Sequence, residues 1–238
     1  MSPLFREIAY QETPIGPISL RQRRILALET DVLEIILGDE HLMSSLFTAS
    51  EIALATAGLA ALDGTNWDVI VGGLGLGYTA EAVLQHDNVG SLTVVELLDP
   101  VVDWHEQGLI PLGAVLTGDK RCHLQRDDFF ALATSPLGFD EANPGRRYHA
   151  ILIDIDHTPD RLLDDRSTGF YTPEGLHTLS RHLHPGGVMG LWSDEPPDDR
   201  FTDKLALEFA TAWAEAVVFE NPYQPGNPVT QTVYIGKK

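Results

Sequence analysis

The sequence contains a single cysteine, Cys122, and therefore cannot form an internal disulfide. A chain with so few thiols suits a reducing compartment, and we expect a cytoplasmic protein. No apolar run is long enough to predict a helical membrane span. The N-terminal segment carries Glu7 and Glu12 and lacks an apolar centre, so we do not expect a signal peptide.

Basic residues are also scarce. The chain of 238 residues has 16 Lys and Arg against 35 Asp and Glu, which gives a formal net charge of -19. This charge disfavours a nucleic acid or an anionic membrane as a partner, because either would need a basic face. It is compatible with a small cationic substrate, and also with a solvated acidic surface. The histidines lack the spacing of a ligand set, so no metal site is expected.

Hydrophobic patterning predicts a small β-rich segment at 1–47 followed by a larger domain at 48–238, whose first helix Thr48 or Ser50 can cap. From residue 68 onward, apolar strands and helices alternate, which indicates a doubly wound, mostly parallel α/β sheet of the Rossmann-like kind. Strands are predicted at 68–72, 91–96, 121–125, 149–154 and 187–192, and helices near 78–86, 100–107, 127–133, 171–183 and 200–213.

The C-terminal part has a different pattern, with two strand-like runs joined by "QPGNP". These runs predict an antiparallel hairpin at one edge of the sheet. A doubly wound sheet closed by such a hairpin resembles the class I methyltransferase domains.

The stretch "DVIVGGLGLGYTAEAVLQH" at 68–86 places Gly73, Gly75 and Gly77 between the first predicted strand and its helix. In an open α/β sheet, ligands bind beyond the carboxyl ends of the strands. Glycines let a ligand approach the main chain, and the following helix offers free N–H groups to a carboxylate or phosphate. Taken alone, the loop also fits the dinucleotide fingerprint or a tight turn that binds nothing.

Acidic residues follow the next two predicted strands. Glu96 ends a strand about twenty residues after the glycine loop, where a carboxylate can accept hydrogen bonds from both ribose hydroxyls. Asp127 or Asp128 follows the next strand, near the expected position of an adenine amino group, although helix capping explains either residue equally well. Together these strand ends predict a pocket for an adenosine.

The fourth strand ends in "ILIDIDHTPD", and the later segment "FYTPEGLHTLSRHLHPGG" leads to the fifth strand. With the glycine loop, these segments resemble the spermidine synthase (polyamine aminopropyltransferase) family within the class I S-adenosylmethionine-dependent methyltransferase superfamily. The matching positions, within residues 68–195, are Gly73, Gly75, Gly77, Thr79, Ala80, Val95, Glu96, Leu97, Asp99, Asp127, Asp154, Phe170, Tyr171, Pro185, Gly186 and Gly187.

The resemblance implies roles for these residues. Glu96 would bind the ribose, Asp127 the adenine, and the glycine loop would face the amino-acid or aminopropyl arm of the cofactor. Asp154 would lie at the reaction centre and deprotonate the attacking amine. Independently of the resemblance, His157 follows Asp154 closely and could assist as a general base near neutral pH, although a surface histidine is the alternative. Tyr171 would lie on the acceptor side. The family commonly dimerises, so a homodimer is expected.

The sequence departs from the family where the amine is bound. The acidic residue of the family's glycine loop, which holds the aminopropyl amine, aligns with Leu76. The second aspartate of the catalytic loop aligns with His157. The family's tyrosine–histidine–glutamate segment is absent, and "TASEIAL" offers only Glu51 for the substrate. After the fifth strand, "DEPPDDR" at 194–200 is a candidate acidic lid.

Leu76 removes an attraction for the cationic arm of decarboxylated S-adenosylmethionine. It also removes a repulsion, about 1 kcal/mol or more, of the carboxylate of ordinary S-adenosylmethionine. We therefore predict methyl transfer from S-adenosylmethionine to a small amine-bearing or cationic acceptor. The alternative is aminopropyl transfer from the decarboxylated cofactor to a diamine, with Asp156 or Asp160 replacing the missing aspartate. A nicotinamide-dependent oxidoreductase and a non-catalytic nucleoside-binding protein are hypotheses from other classes.

Overall fold

The computed structural model describes residues 4–238. Within that range the strands are β1 (Phe5–Thr13), β2 (Gly16–Ile25), β3 (Thr30–Leu37), β4 (Glu40–Ser44), β5 (Trp67–Gly72), β6 (Val89–Glu96), β7 (Cys122–Arg126), β8 (Tyr148–Ile153), β9 (Leu183–Ser193), β10 (Thr211–Phe219) and β11 (Val229–Lys237). The α-helices are α1 (Ala49–Ala60), α2 (Tyr78–Leu84), α3 (Asp99–Glu106), α4 (Gly113–Gly118), α5 (Phe129–Thr134), α6 (Pro173–Arg181) and α7 (Asp199–Ala206). Short 3-10 helices lie at Leu26–Leu28 and Asp165–Tyr171. In this part of the chain, no helix combines the length and apolar character needed to cross a membrane.

The N-terminal strands β1 to β4 form a separate antiparallel sheet in sequential order. Its inner face carries Ile18, Leu20 and Ile35, all at most 1% exposed. These side chains belong to the same hydrophobic cluster as α1 and one face of the central sheet. The N-terminal sheet is therefore packed against the rest of the protein. The domain boundary between residues 47 and 48 stays a prediction.

The central sheet has the strand order β10-β11-β9-β8-β5-β6-β7. Strands β5 to β9 run parallel, and the terminal hairpin of β10 and β11 adds to β9 in antiparallel orientation. The predicted doubly wound α/β sheet with a C-terminal hairpin is confirmed. Because β5 pairs with β6 on one side and β8 on the other, the strand order reverses at β5, where such sheets form their ligand crevice.

Both faces of the central sheet are covered. Along β5, Val69 and Val71 point into one hydrophobic cluster and Ile70 points into the other. This alternation explains why the parallel strands read as continuous apolar runs in the sequence. It also determines which residues at the ends of the strands lie on the same face of the sheet.

Some predicted helix boundaries need correction. The helix predicted over 200–213 is wrong in its second half, because residues from Thr211 onward pair with β11 as a strand. Helix α4 was not predicted at all. Thr48 occupies the N-cap position of α1, but its side chain makes no capping hydrogen bond, and Ser50 donates to the side chain of Glu51 instead.

Candidate active site

A glycine loop, residues 73–77, connects β5 to α2. Gly73 and Gly77 have positive φ angles of 89° and 95°, a conformation that favours glycine. A Cβ atom on Gly73 would collide with the carbonyl oxygen of Asp154. Gly75 lines a large cavity at the end of the sheet. The absence of a side chain at Gly73 therefore allows the end of β8 to approach the loop closely. The absence of a side chain at Gly75 leaves the backbone of the loop open to the cavity.

Leu76 does not face this cavity. Its side chain is 1% exposed and lies in the hydrophobic core, while its backbone N–H points to the Sδ atom of Met43 at 3.0 Å. The structure therefore does not bring the Leu76 side chain to the predicted position of the cofactor arm. The dihedral angles of the loop turn this side chain inward and leave Gly73 and Gly75 at the cavity wall.

Glu96 ends β6 and lines the cavity with a carboxylate that is fixed by backbone groups. Its Oε2 accepts a hydrogen bond from the Leu74 N–H at 2.9 Å, and its Oε1 accepts one from the Leu98 N–H at 2.8 Å. Burial raises the pKa of this carboxyl, and the backbone hydrogen bonds oppose that rise. A carboxylate oriented in this way can accept hydrogen bonds from the hydroxyls of a bound sugar.

The two aspartates after β7 are placed differently. Asp127 accepts the backbone N–H of Asp128 at 2.8 Å and is not among the residues that line the cavity. Asp128 caps α5 by accepting the N–H groups of Phe130 and Ala131, and it lines the cavity. The structure therefore brings Asp128 to the cavity, whereas the family resemblance implied Asp127.

Asp154 and Glu51 form a pair of neighbouring carboxyls in the cavity lining. Asp154 follows β8, and its Oδ2 accepts a hydrogen bond from the Thr79 hydroxyl at 2.6 Å. Glu51 lies on α1 with 7% of its surface exposed and accepts a hydrogen bond from Ser50. Burial, and next the charge of Asp154, raise the pKa of Glu51 to about 8, and burial raises the pKa of Asp154 to about 6. Near neutral pH, the pair therefore retains one proton.

Asp156 is an internal anchor. It is 2% exposed, and its carboxylate accepts hydrogen bonds from the Leu163 N–H at 2.7 Å and the Tyr171 hydroxyl at 2.8 Å. Burial raises its pKa, and these hydrogen bonds oppose the rise. The carboxylate thus holds residues 158–171, here called the anchored loop, against the end of β8. Tyr171 donates its hydroxyl to Asp156 and is not among the residues that line the cavity, so the structure does not bring it to the predicted acceptor site.

His157 and Asp160 are the remaining residues predicted for the catalytic loop. His157 is 8% exposed and lines the cavity, with its Nε2 3.6 Å from a carboxylate oxygen of Glu40 on β4. The side chain of Asp160 is 77% exposed, lies 3.9 Å from Arg200, and is not part of the cavity lining. The structure therefore does not bring Asp160 to the cavity, where the sequence predicts an acceptor site.

The cavity has a volume of about 880 Å³ and lies between the end of the central sheet, the N-terminal sheet and the anchored loop. Carboxylates reach it from α1 and from the ends of β6, β8 and β9. The arginines in its lining, Arg161 and Arg166, both belong to the anchored loop. The cavity is thus predominantly anionic on the side of the sheet.

Sequence reasoning missed the contribution of the terminal hairpin. Gln231 on β11 lines the cavity and donates a hydrogen bond from Nε2 to Asp194 Oδ1 at 2.8 Å. Phe219 on β10 lines it as well. Of the predicted acidic lid at 194–200, Asp194 is the residue found in the cavity lining. The alternation of side chains along the hairpin indicates which residues share a face of the sheet. Only the pairing register of β11 with β9 shows that Gln231 reaches the cavity.

Solved structures share this architecture, although no family model matches the sequence. A spermidine synthase in complex with the transition state analogue AdoDATO is similar with a TM-score of 0.74 and 16% sequence identity, over 98% of this chain and 74% of that chain. The spermidine synthase from Thermotoga maritima gives a TM-score of 0.71 and 15% identity, over 98% of this chain and 72% of that chain.

The sheet order, the terminal hairpin and the crevice at β5 define a Rossmann-like α/β fold of the class I methyltransferase kind. Within that class, the chain has the spermidine synthase-like fold, including a small antiparallel sheet at the N-terminus. The fold predicted from the family resemblance is confirmed.

Proposed function

We propose that this protein transfers an aminopropyl group from decarboxylated S-adenosylmethionine to a small diamine. The observation that carries the proposal is the Asp154–Glu51 carboxyl pair beside the glycine loop, in a cavity whose sheet side is anionic. The arm of the decarboxylated cofactor and the acceptor are both cations near neutral pH. A cavity with net negative charge favours both of them.

The residues at the sheet end fit an adenosine-bearing cofactor. The Glu96 carboxylate, fixed by two backbone N–H groups, would hold the ribose. Asp128, which lies next along this edge, would border the adenine. Gly73 and Gly75 leave backbone open to the same cavity, where the arm of the cofactor would lie.

The charges favour the decarboxylated form. Ordinary S-adenosylmethionine would bring a carboxylate close to Asp154 and Glu51, and two like unit charges 4 Å apart repel by about 4 kcal/mol at an effective dielectric constant of 20. The arginines of the lining, Arg161 and Arg166, belong to the anchored loop, and neither is among the charges that shift the pKa of Asp154 or Glu51. This balance supports aminopropyl transfer over the methyl transfer that we predict from Leu76. The similarity to spermidine synthases points in the same direction.

When bound, the cofactor supplies an aminopropyl group that its sulfonium has already activated. The protein must then orient a neutral amine and remove its proton. Thr79 fixes the Oδ2 atom of Asp154, so Oδ1 can accept a hydrogen bond from the attacking amine and then its proton. Glu51, with its raised pKa, keeps the carboxyl pair at one negative charge before the proton arrives. His157 borders the same cavity and is positioned to assist.

Methyl transfer from ordinary S-adenosylmethionine is the second candidate. One feature favours it: the glycine loop has no acidic side chain that could bind the amine of the decarboxylated cofactor. Leu76 occupies the corresponding position, and its side chain lies in the core. The glycine loop and Glu96 are also compatible with a nicotinamide cofactor. However, the terminal hairpin and the spermidine synthase-like fold favour a transferase.

The test is product analysis by mass spectrometry after incubation with each cofactor and a panel of amines. Methylthioadenosine and an aminopropylated diamine are expected with the decarboxylated cofactor. S-adenosylhomocysteine and a methylated amine would instead establish the second candidate. Cofactor binding without any product would indicate a non-catalytic nucleoside-binding protein.

A further inference from the structure

The peptide group between Gly75 and Leu76 lies in the middle of the glycine loop and is held from two sides. The carbonyl oxygen of Gly75 is 2.9 Å from Nε2 of His105 on α3. The N–H of Leu76 points to the Sδ atom of Met43 on β4 at 3.0 Å. A thioether sulfur is only a weak acceptor, so the bond to His105 is the stronger of the two contacts. The orientation of this peptide therefore depends mainly on His105.

His105 reaches the loop from the core of the protein, where it is 1% exposed. Burial lowers the pKa of His105, so the ring is neutral near neutral pH and carries one N–H. Because a carbonyl oxygen can only accept, that hydrogen lies on Nε2. Within residues 4–238, the Nδ1 atom is buried and has no hydrogen-bond partner. A buried polar atom without a partner costs stability, so packing alone would favour an apolar residue at this position.

The glycines of the loop make this contact possible and also make it necessary. A Cβ atom on Gly77 would lie 3.0 Å from Cε1 of His105, so the imidazole ring occupies space that a side chain at position 77 would need. Gly75 has a φ angle of 47°. Glycine adopts positive and negative φ angles about equally readily, so the loop by itself does not fix the peptide that follows Gly75. A contact from outside the loop must hold it in one arrangement.

The direction of the Gly75 carbonyl matters for the cavity. Gly75 lines the cavity and His105 does not, so the carbonyl oxygen is turned away from the cavity and toward the core. Without the donor, this oxygen would be buried and unpaired, and a rotation of the peptide toward the cavity would give it access to a new partner. The oxygen would then take up space where the arm of the proposed cofactor would lie.

We propose that His105 is a positioning residue, which fixes the Gly75–Leu76 peptide and thereby shapes the part of the cavity that receives the arm of the cofactor. This inference rests on the proposed function and deepens it, because it makes recognition of the arm depend on a residue that does not touch the ligand. The ribose and adenine are assigned to Glu96 and Asp128, so their binding depends little on His105.

The test compares His105→Leu, which removes the donor and keeps a buried side chain, with His105→Gln. The amide nitrogen of glutamine lies the same number of bonds from Cα as Nε2 of histidine and can donate to Gly75. In calorimetric titrations, His105→Leu should bind decarboxylated S-adenosylmethionine about tenfold more weakly, because the loop is no longer ordered in advance. Its affinity for adenosine should stay within about twofold, because adenosine has no arm to meet this peptide. His105→Gln should keep most of the affinity of the wild type for both ligands.

A measurement without ligand separates this inference from the proposed function. Hydrogen exchange of the amides in residues 74–77 should be faster in His105→Leu than in the wild type and in His105→Gln. His182→Leu is the matched control, because His182 is 3% exposed and donates from Nε2 to the carbonyl oxygen of Ser135 at 2.9 Å, outside the cavity lining. This control should leave the loop exchange and both affinities unchanged.

Unchanged or tighter binding of the decarboxylated cofactor by His105→Leu would overturn the inference, and so would equal losses for the cofactor and adenosine. Unchanged exchange in the loop would overturn it as well. A wild type that binds neither ligand would contradict the proposed function. Faster loop exchange in His105→Leu, but not in His105→Gln, would in that case still support the role of His105 in positioning the loop.

Discussion

The half of the cavity that we propose to bind the cofactor, here called the cofactor half, is formed mainly at the ends of adjacent strands, where short segments of sequence follow β5 and β6. The half that we propose to bind the acceptor, here called the acceptor half, is formed by side chains from α1, the anchored loop and the terminal hairpin. In the first half, the position of each functional group follows from a local motif. In the second half, it depends on the register and packing of segments that are far apart in the chain.

This difference has a consequence for specificity. Carboxylates such as Glu96 are fixed by backbone N–H groups, so the cofactor half tolerates few rearrangements. Asp154, Glu51 and Asp194 are brought together by three separate elements, and their partners are side chains. Under the proposed function, we expect substitution in one of these elements to change the acceptor and to leave the fold and the cofactor unchanged.

The largest effect is expected for Asp154→Asn. Loss of the proton acceptor should lower kcat by about a hundredfold to ten-thousandfold, while cofactor affinity changes little. Steady-state kinetics and calorimetric titration of the cofactor measure the two quantities. Asp160→Asn, on the same segment but outside the cavity, should behave like the wild type. Retained turnover in Asp154→Asn would show that Asp154 is not the proton acceptor at the reaction centre.

Glu96→Gln should affect the other half of the cavity. Both carboxylate oxygens of Glu96 can accept hydrogen bonds, whereas the amide nitrogen of glutamine can only donate. Cofactor affinity should therefore fall by about tenfold to a hundredfold. The kcat value at saturating cofactor should change much less. Asp127→Asn is the control, because Asp127 does not line the cavity. An equal loss of cofactor affinity in both variants would show that the ribose of the cofactor does not bind at Glu96.

A smaller effect is expected for Tyr171→Phe, which removes the hydroxyl that donates to buried Asp156. The loss of about 1–3 kcal/mol should loosen the anchored loop and raise the KM of the acceptor severalfold. Hydrogen exchange should become faster within residues 158–171, and the affinity for cofactor should stay the same. Unchanged exchange would show that Asp156 does not hold this loop in solution.

The smallest effect concerns the pH dependence of stability. Burial, and next the charge of Asp154, raise the pKa of Glu51 from its ordinary value of 4.5 to about 8, so the folded state binds this proton more tightly than the unfolded state. Glu51 therefore contributes stability that is fully present below its unfolded pKa and is lost as the pH rises through about 8.

Glu51→Gln should remove this dependence. The change in thermal unfolding midpoint between about pH 6 and about pH 9 should become smaller by roughly a few degrees. Glu81→Gln serves as a control at a carboxylate on α2 that is absent from the cavity lining. An identical pH profile for Glu51→Gln and the wild type would mean that Glu51 is not buried beside Asp154.

Much of the fold could be predicted from the sequence, since apolar strands, the glycine loop and the positions of Glu96 and Asp154 are local features. Side-chain direction could not be predicted. Leu76 and Gly75 are neighbours, yet the loop dihedrals turn one into the core and leave the other at the cavity. The position of Gln231 at the cavity depends on the pairing of the hairpin with β9, and no local sequence pattern specifies that pairing.

The central claim is that the carboxyl pair of Asp154 and Glu51 selects the decarboxylated cofactor. Its most direct test is calorimetric titration of the purified protein with decarboxylated and ordinary S-adenosylmethionine under the same conditions. The decarboxylated form should bind at least about tenfold more tightly, because it lacks the carboxylate that the pair repels. Tighter binding of ordinary S-adenosylmethionine would contradict the account and favour methyl transfer.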